Sequence, residues 1–469
     1  MGIHGNPSCF VAQRRDRKGS PSRVAIFCHM VEMACYDKGY SMDLPVIKNI
    51  DALGLTPLRR DALAILEAGY EAVLTERVIR EKVTMMGDDI CIGDRNICLS
   101  DYERVFFVGI GKCAVDASLV FEDLLGGRIT DGIVLDVRSG VFQKLRSFVG
   151  THPFPSETNM AATKKIVEML KGITARDLVI AVISGGGSAL LCLPHNVKCG
   201  MLRKMVEALW SRGATISEVN TVRKHLSDIQ GGQLAKLVYP ATMAAFLFSD
   251  VPGDDIGMIA SGPTVRDATT AKDAEHILEK YDILSQCRVE DCELVETPKE
   301  EKYFDRVLNV LLVTNEKALG AMQRKAESLG YHAEVADTGV EGLAAVLGHR
   351  LAEEVLPSRS CRLYGGETTV LVKGNGEGGR NQECALAAVP VISDHRVLVA
   401  ASSDGWDNTD VAGALCDAGD RKRGEALGLS PEKYLEENDS YHYWKAAGGA
   451  IVTGRTGINV ADFYFVISE

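Results

Sequence analysis

Hydrophobic and polar positions along this chain alternate between two patterns. Short unbroken apolar runs, at Val105 to Val108, Gly132 to Asp136, Leu178 to Ile183 and Met243 to Phe248, are separated by longer stretches with apolar residues at helical spacing. A short apolar run without polar interruption reads as a strand buried on both faces. Several of them with helices between predict an α/β fold built on a parallel sheet covered from both sides. A helix is predicted to begin at Thr56-Pro57, a capping hydroxyl followed by proline at the first helical position. It runs to Val83 through Leu66, Tyr70, Val73, Leu74 and Val78.

Residues 285 to 305 are polar and charged, carry Pro298 and have few apolar anchors, so they are expected to connect two domains. A second α/β unit is predicted to open with a strand at Val307 to Val313 and a helix from Glu316. It continues with a strand at Val397 to Ala401 and closes with one at Asp462 to Ile467. A chain of 469 residues is too long for one ordinary core. The expected division is a basic extension over 1–55, a first domain over 56–295 and a second over 305–469.

In open α/β sheets ligands sit beyond the carboxyl ends of the strands, and the chemically loaded residues fall there repeatedly. Lys112 follows the first run in the turn Gly109-Ile110-Gly111-Lys112, and Ser184-Gly185-Gly186-Gly187-Ser188 follows another. Asp250, with Asp254 and Asp255, follows a third, and Asp404 a fourth, with Asp407 close behind. Consecutive glycines at a helix start can turn several N–H groups toward a phosphate, and carboxylates suit a hard divalent cation. Each feature also has a purely structural reading: a lysine in a tight turn, a serine cap at Ser188, acidic caps on helices. Asn220-Thr221-Val222-Arg223-Lys224-His225 offers an arginine fork for a small carboxylate, or else a solvated helix face. His152-Pro153 reads as a rigid loop entry, with a role for His152 left open.

The densest glycine segment is Gly365 to Glu383, GGETTVLVKGNGEGGRNQE, with a β-like run at Thr368 to Lys373 and a helix opening near Arg380. Glycines that approach a ligand closely, next to a helix N-terminus and a guanidinium, make anion-binding geometry; a glycine-rich hairpin with a surface arginine is the alternative. The chain lacks a Walker A motif and the protein-kinase signatures, since Cys113 follows Lys112 where Ser or Thr is required.

Composition narrows the field. The net charge of −12 gives no support to nucleic-acid or anionic-membrane binding, and no apolar stretch approaches the roughly eighteen residues of a membrane helix. Thirteen cysteines, without CxxC pairs, read as free thiols in a reducing compartment, the cytoplasm. The basic cluster from Arg14 to Arg23 leaves a mitochondrial address open.

Taken in order, LRRDALAILEAG, VGIGKCA, THPFPSE, ISGGGSALL, NTVRKHLSDIQGG, SDVPGDDIGMIASGPTV, GGETTV, KGNGEGGRNQE and NDSY resemble the motifs of the glycerate 2-kinase family over roughly residues 58 to 467. The resemblance implies a Rossmann-like N-terminal domain, a smaller MOFRL α/β domain and a substrate cleft between them. It further implies transfer of phosphate from ATP to the 2-hydroxyl of D-glycerate, with Mg²⁺. Under it Lys112 and Arg380 are the catalytic pair, brought together by domain closure. Gly109, Gly111, Ser184, Gly185, Gly186, Gly187, Ser188, Gly376, Gly378 and Gly379 are expected to contact nucleotide. Arg223, Glu367 and Asn381 are expected to hold substrate, and Asp250 and Asp404 to bind the metal or to take the hydroxyl proton. Whether the protein is a monomer or a homodimer stays open. Departures from the family pattern fall at Ser156, Arg455 and Ile458. A dinucleotide-dependent hydroxypyruvate reductase is the rival reading, through GIGKCA and the acid at Asp136, although Ala114 occupies the third glycine position. A family member that binds nucleotide without turnover is a second rival.

Overall fold

The computed structural model describes residues 44–287 and 293–469. The basic cluster therefore lies outside the described residues. Residues 44–55, expected to belong to the extension, are part of the fold. Ile47 is fully buried, its N–H donates to Glu67, and Lys48 N–H donates to the Val452 carbonyl at 2.8 Å.

Among the described residues fifteen strands form three sheets. A small antiparallel sheet of β1 (Val83–Met86), β2 (Asp89–Ile92) and β3 (Arg95–Cys98) comes first. The first large sheet holds β4 (Arg104–Ile110), β5 (Asp131–Asp136), β6 (Arg146–Val149), β7 (Asp177–Ile183), β8 (Thr242–Phe248) and β9 (Val307–Val313). All its pairings are parallel and the order is β6-β5-β4-β7-β8-β9. The predicted double covering is present, since every residue of β7 is buried. On one face Phe121 of the Ala114–Leu125 helix packs on Phe246 at 4.7 Å between ring centroids.

The second large sheet is mixed. It contains β10 (His332–Val340), β11 (Ser360–Gly366), β12 (Arg396–Ser402), β13 (Gly413–Asp417), β14 (Ala450–Ile451) and β15 (Asp462–Ser468), in the order β10-β11-β15-β12-β13-β14. Only β10 and β11 pair in parallel; β15 runs against both β11 and β12.

The structure corrects several expectations. Val307–Val313 does not open the second unit; it completes the edge of the first sheet beside β8. The predicted opening helix starts as expected, with Thr56 Oγ1 accepting from Arg59 N–H at 3.2 Å, but an extended Leu74 divides it into Pro57–Val73 and Thr75–Lys82. Pro57–Val73 packs on the second sheet, where Tyr70 Oη donates to the Ser402 carbonyl at 2.8 Å and Arg59 pairs with Asp417 and Asp420. Thr368 to Lys373 is not a strand: Leu371 and Val372 are exposed, and a single bridge ties Thr369 to Leu343. The expected linker is only partly loose, for Thr297 is buried and Val295 N–H donates to the His225 carbonyl at 2.8 Å.

Candidate active site

The order of the first sheet reverses between β4 and β7, the position at which open parallel sheets form a ligand crevice. The loops after these strands are joined directly. Gly111 has φ +119°, and a Cβ there would come within 2.0 Å of Ser184 Oγ, so a side chain would push the two strand ends apart. Ser184 Oγ accepts from Cys113 N–H and donates to the Ile110 carbonyl, both at 3.3 Å, and Lys112 N–H donates to the Gly185 carbonyl at 3.0 Å. The Lys112 side chain is thereby fixed at its root and projects from the sheet edge.

The register of the second sheet produces the facing half. Asp462, the first residue of β15, is paired with Gly366 at the end of β11 and with Ser402 at the end of β12. Glu367 and Asp404 therefore leave their strands on either side of a buried Asp462. Arg380, the first residue of the Arg380–Ala388 helix, reaches into this row of acids. Its Nη2 donates to Asp462 Oδ1 at 3.2 Å, its Nε also meets that carboxylate, and its Nη1 lies 2.6 Å from Glu367 Oε1. Despite its burial, the two acids hold the guanidinium pKa well above its ordinary value. Glu367 keeps about half its side-chain surface open to water, yet lies deep enough between the two halves that desolvation raises its pKa.

Side chains from the two halves meet across the cleft. Lys112 Nζ lies 3.3 Å from Asp404 Oδ2, and Asn459 Nδ2 donates to Asp250 Oδ2 at 3.0 Å. Gly185 sits under this second contact, where a Cβ would meet Asn459 Nδ2 at 1.6 Å and Asp250 Oδ2 at 1.9 Å. The expected approach of the halves is thus already made by direct contacts. Lys112 holds Asp404 below the ordinary carboxylate range against the cost of its burial, whereas desolvation dominates at Asp250 and raises it. Between Asp250, Asp254, Asn315, Gly366 and Ala461 an opening of about 280 Å³ separates the halves.

Arg223 is the most telling of the predicted substrate contacts. It is 8% exposed, and burial lowers its pKa to about 10. Among the described residues no carboxylate pairs with it, and its nearest aromatic neighbour is Trp210, with the guanidinium 5.4 Å from the ring centroid. It borders a small pocket shared with Ser188, Cys192, Ser227 and Gln230. An enclosed cation without a counterion costs several kcal/mol, and an anionic ligand relieves that cost. Its neighbours Lys224 and His225 are by contrast both held by Asp267, at 3.1 and 3.4 Å, and belong to the scaffold.

Other expected residues take structural places. Asn381 is fully buried and, with Gln382, donates backbone and side-chain bonds to Asp407, which caps the Arg380–Ala388 helix from a distance. Asn381 thus positions Arg380 and does not face the cleft. Lys373, Gly374, Gly376 and Glu377 spend their N–H groups on the 437–439 segment. Gly376, Gly378 and Gly379 are glycines for close packing, because Cβ atoms there would come within 2.4, 2.1 and 2.1 Å of Asp439, Ser440 and Asp407. Gly109 likewise packs on Ser118, and Ser188 Oγ pairs with Ser261 Oγ at 2.8 Å. Gly186, with φ +78°, and Gly187 continue the strand-end loop beneath His152 and beside Ala260. Asp404 Oδ2 faces Lys112, and its Oδ1 accepts from Ser402 Oγ and Trp406 N–H. Among the described residues no three His, Cys, Asp or Glu side chains converge as a metal cluster. Sequence reading missed Asp462 and Asn459, which lie at an ordinary strand start and in a loop; only the glycines around them hinted at crowding. Of the departures, Ile458 is buried core, Arg455 lies over Trp406 at 4.5 Å, and Ser156 bonds Asn159.

The fold is thus that of an α/β protein in which Lys112 and Arg380, each with its carboxylates, stand where the two large sheets meet, and Arg223 borders a separate pocket. Residues 61–296 match a family model described as a domain of unknown function, DUF4147, and residues 360–462 match the MOFRL family. D-glycerate 2-kinase of Thermotoga maritima is 34% identical over 421 residues, which cover 86% of this chain and 97% of that protein. The crystal structure of glycerate kinase from Thermotoga maritima superposes with a TM-score of 0.73 at 32% identity, covering 87% of this chain and 99% of that one. A putative hydroxypyruvate reductase of Agrobacterium vitis is 36% identical over 387 residues, 78% of this chain and 87% of that protein. The chain belongs to the glycerate 2-kinase family.

Proposed function

We propose that this protein is an ATP-dependent phosphotransferase that converts D-glycerate to 2-phosphoglycerate and ADP. The observation that carries the reading is the meeting of Lys112 from the first sheet with the Arg380 acid row of the second. Phosphoryl transfer asks chiefly for positioning and for cations around the equatorial and bridging oxygens, which Lys112 and Arg380 supply. Arg223 takes the glycerate carboxylate as a fork, and the Ser184–Ser188 loop lies against the phosphates. Asp404 and Glu367 hold the two catalytic cations in place. The donor set suits a Mg²⁺ that arrives with the nucleotide, since this ion commonly takes one or two carboxylates together with phosphates; Asp250, which accepts from Asn459 and lies against Gly185 of the Ser184–Ser188 loop, would be its protein ligand. When bound, the ion offsets charge on the phosphate oxygens.

The rival reductase reading needs Asp136 to hold a ribose. Its carboxylate instead accepts from Val115 N–H at 2.9 Å and from Val137 N–H at 2.6 Å, and it is fully buried. Cytoplasmic residence fits the described cysteines, which are all free, and no described helix is long and apolar enough to cross a membrane. The deciding experiment supplies purified protein with ATP, Mg²⁺ and D-glycerate and couples product to enolase without phosphoglycerate mutase. A signal is expected. Silence relieved by mutase would mean phosphorylation at the 3-position, and silence in both formats would remove the kinase reading.

A further inference from the structure

We infer that His152 receives the proton of the substrate hydroxyl during transfer, an inference that rests on the phosphotransferase reading above. The imidazole lies against Gly186 at the end of β7. A Cβ on that glycine would meet His152 Cδ2 at 3.1 Å, His152 Nε2 at 3.5 Å and Lys112 Cγ at 3.1 Å. The ring and the lysine stem therefore share one glycine face, at the place where the transferring group must sit if Lys112 is to stabilise it.

Two further observations distinguish His152 from a packing histidine. Among the described residues no protein atom hydrogen-bonds its ring, and the residue is open to the cleft. His225 shows what a structural histidine looks like in this fold: its Nδ1 is 2.9 Å from the Val295 carbonyl and its Nε2 is 3.2 Å from Thr269 Oγ1. The nearby carboxylates are also committed elsewhere, Asp404 to Lys112, Asp462 to Arg380 and Asp250 to Asn459. A neutral ring with a free lone pair is the uncommitted acceptor.

The charged groups around the ring are Lys112 after β4, Arg223 on the Ile216–His225 helix, Arg380 at its helix start, and Asp404 after β12. Desolvation of the ring by the groups packed near it, then the excess of cations, lowers the imidazole pKa to about 4, so the ring enters the reaction unprotonated. Bound substrates reverse the balance. The γ-phosphate offsets Lys112 and Arg380, the carboxylate offsets Arg223, and the ring's proton affinity rises just where a proton is released. In the step itself, the hydroxyl oxygen bonds to the γ-phosphorus and its proton passes to the free imidazole nitrogen. The bond from the γ-phosphorus to the bridging oxygen breaks, and its electron pair leaves with ADP.

The test uses the full chain labelled with ¹³C-histidine, the His152 resonance being assigned by its loss in His152→Gln. Its pKa is read with and without D-glycerate, Mg²⁺ and a non-hydrolysable ATP analogue. A rise of at least about one unit on loading is expected. In parallel, His152→Ala should lose on the order of 100-fold in kcat with KM for ATP little changed, and added imidazole should recover part of the loss. An unmoved resonance, or a loss in kcat that imidazole does not recover, overturns the role. A wild-type protein that fails the enolase-coupled assay overturns the kinase reading itself, which separates the two failures.

Discussion

Lys112 and Arg380 approach the cleft from different sheets, and each is held by acids that do not neutralise its neighbour: Asp404 for the lysine, Asp462 and Glu367 for the arginine. Replacing either by alanine should lower kcat about 100-fold or more, measured by steady-state kinetics; in calorimetry Lys112→Ala should unfold near wild type, whereas Arg380→Ala should unfold at lower temperature because it leaves the buried Asp462 unpaired. Near-normal turnover in both variants would remove them from the chemistry. Arg223 should behave differently. Arg223→Ala deletes an enclosed cation with no protein partner, so the fold gains slightly or is unchanged while KM for glycerate rises at least tenfold. An unchanged KM for glycerate would show that the carboxylate binds elsewhere. The two catalytic candidates were legible because glycines bracket them in the sequence. Asp462 was not, since a lone acid at the start of an apolar strand carries no local mark, and its importance arises from pairing with residues 96 and 60 positions away.

Among the elements, the buried strands were the most legible and the exposed ones the least. β4, β7 and β8 are unbroken apolar runs, which is what burial on both faces demands. The β1–β3 sheet escaped because its strands are only four residues long, too short to show a period; its signal was the pair of Gly-Asp turns at Gly87 and Gly93, both with positive φ. Thr368 to Lys373 misled in the opposite direction, its β-branched residues serving a loop pinned by Asn438.

The Arg380 helix makes an energetic prediction at this scale. Asp407 caps its first turn from a nearly water-free position, and desolvation pushes its pKa up to about 6. Between about pH 4 and pH 6 the unfolded chain releases this proton and the folded one keeps it, so stability falls as pH rises through that window and then levels. In denaturant titrations Asp407→Asn should remove this contribution. Relative to wild type, the variant should gain about 1–3 kcal/mol between pH 4 and pH 6.5. Parallel pH profiles for the two proteins would show that Asp407 is ionised throughout.

At the scale of the whole molecule, the two sheets do not coincide with two stretches of chain. The Pro57–Val73 helix precedes the first sheet in sequence but lies on the second, where Tyr70 meets Phe463 edge-on at 5.6 Å. Val307–Val313 lies late in the sequence but finishes the first sheet. No pattern in the sequence could announce this exchange, because a helical stripe records that a face is buried and not which sheet buries it. Residues 305–469 produced alone should therefore aggregate, and co-expression with residues 45–82 should recover soluble material, scored by size-exclusion chromatography. A soluble monomer from 305–469 alone would show that the second sheet needs no cover.

The exchange of end pieces also bears on ancestry and on engineering. A protein assembled by joining two finished modules would keep each module's helices and strands on its own side of the join. Here each half borrows a piece from beyond the boundary, so neither could be replaced with a foreign counterpart by a single crossover. Recombination within such a lineage is viable only between parents that already agree on both borrowed pieces. A chimera cut at residue 305 must therefore take residues 45–73 from the same parent as its C-terminal half, and the strand at Val307–Val313 from the same parent as the first sheet.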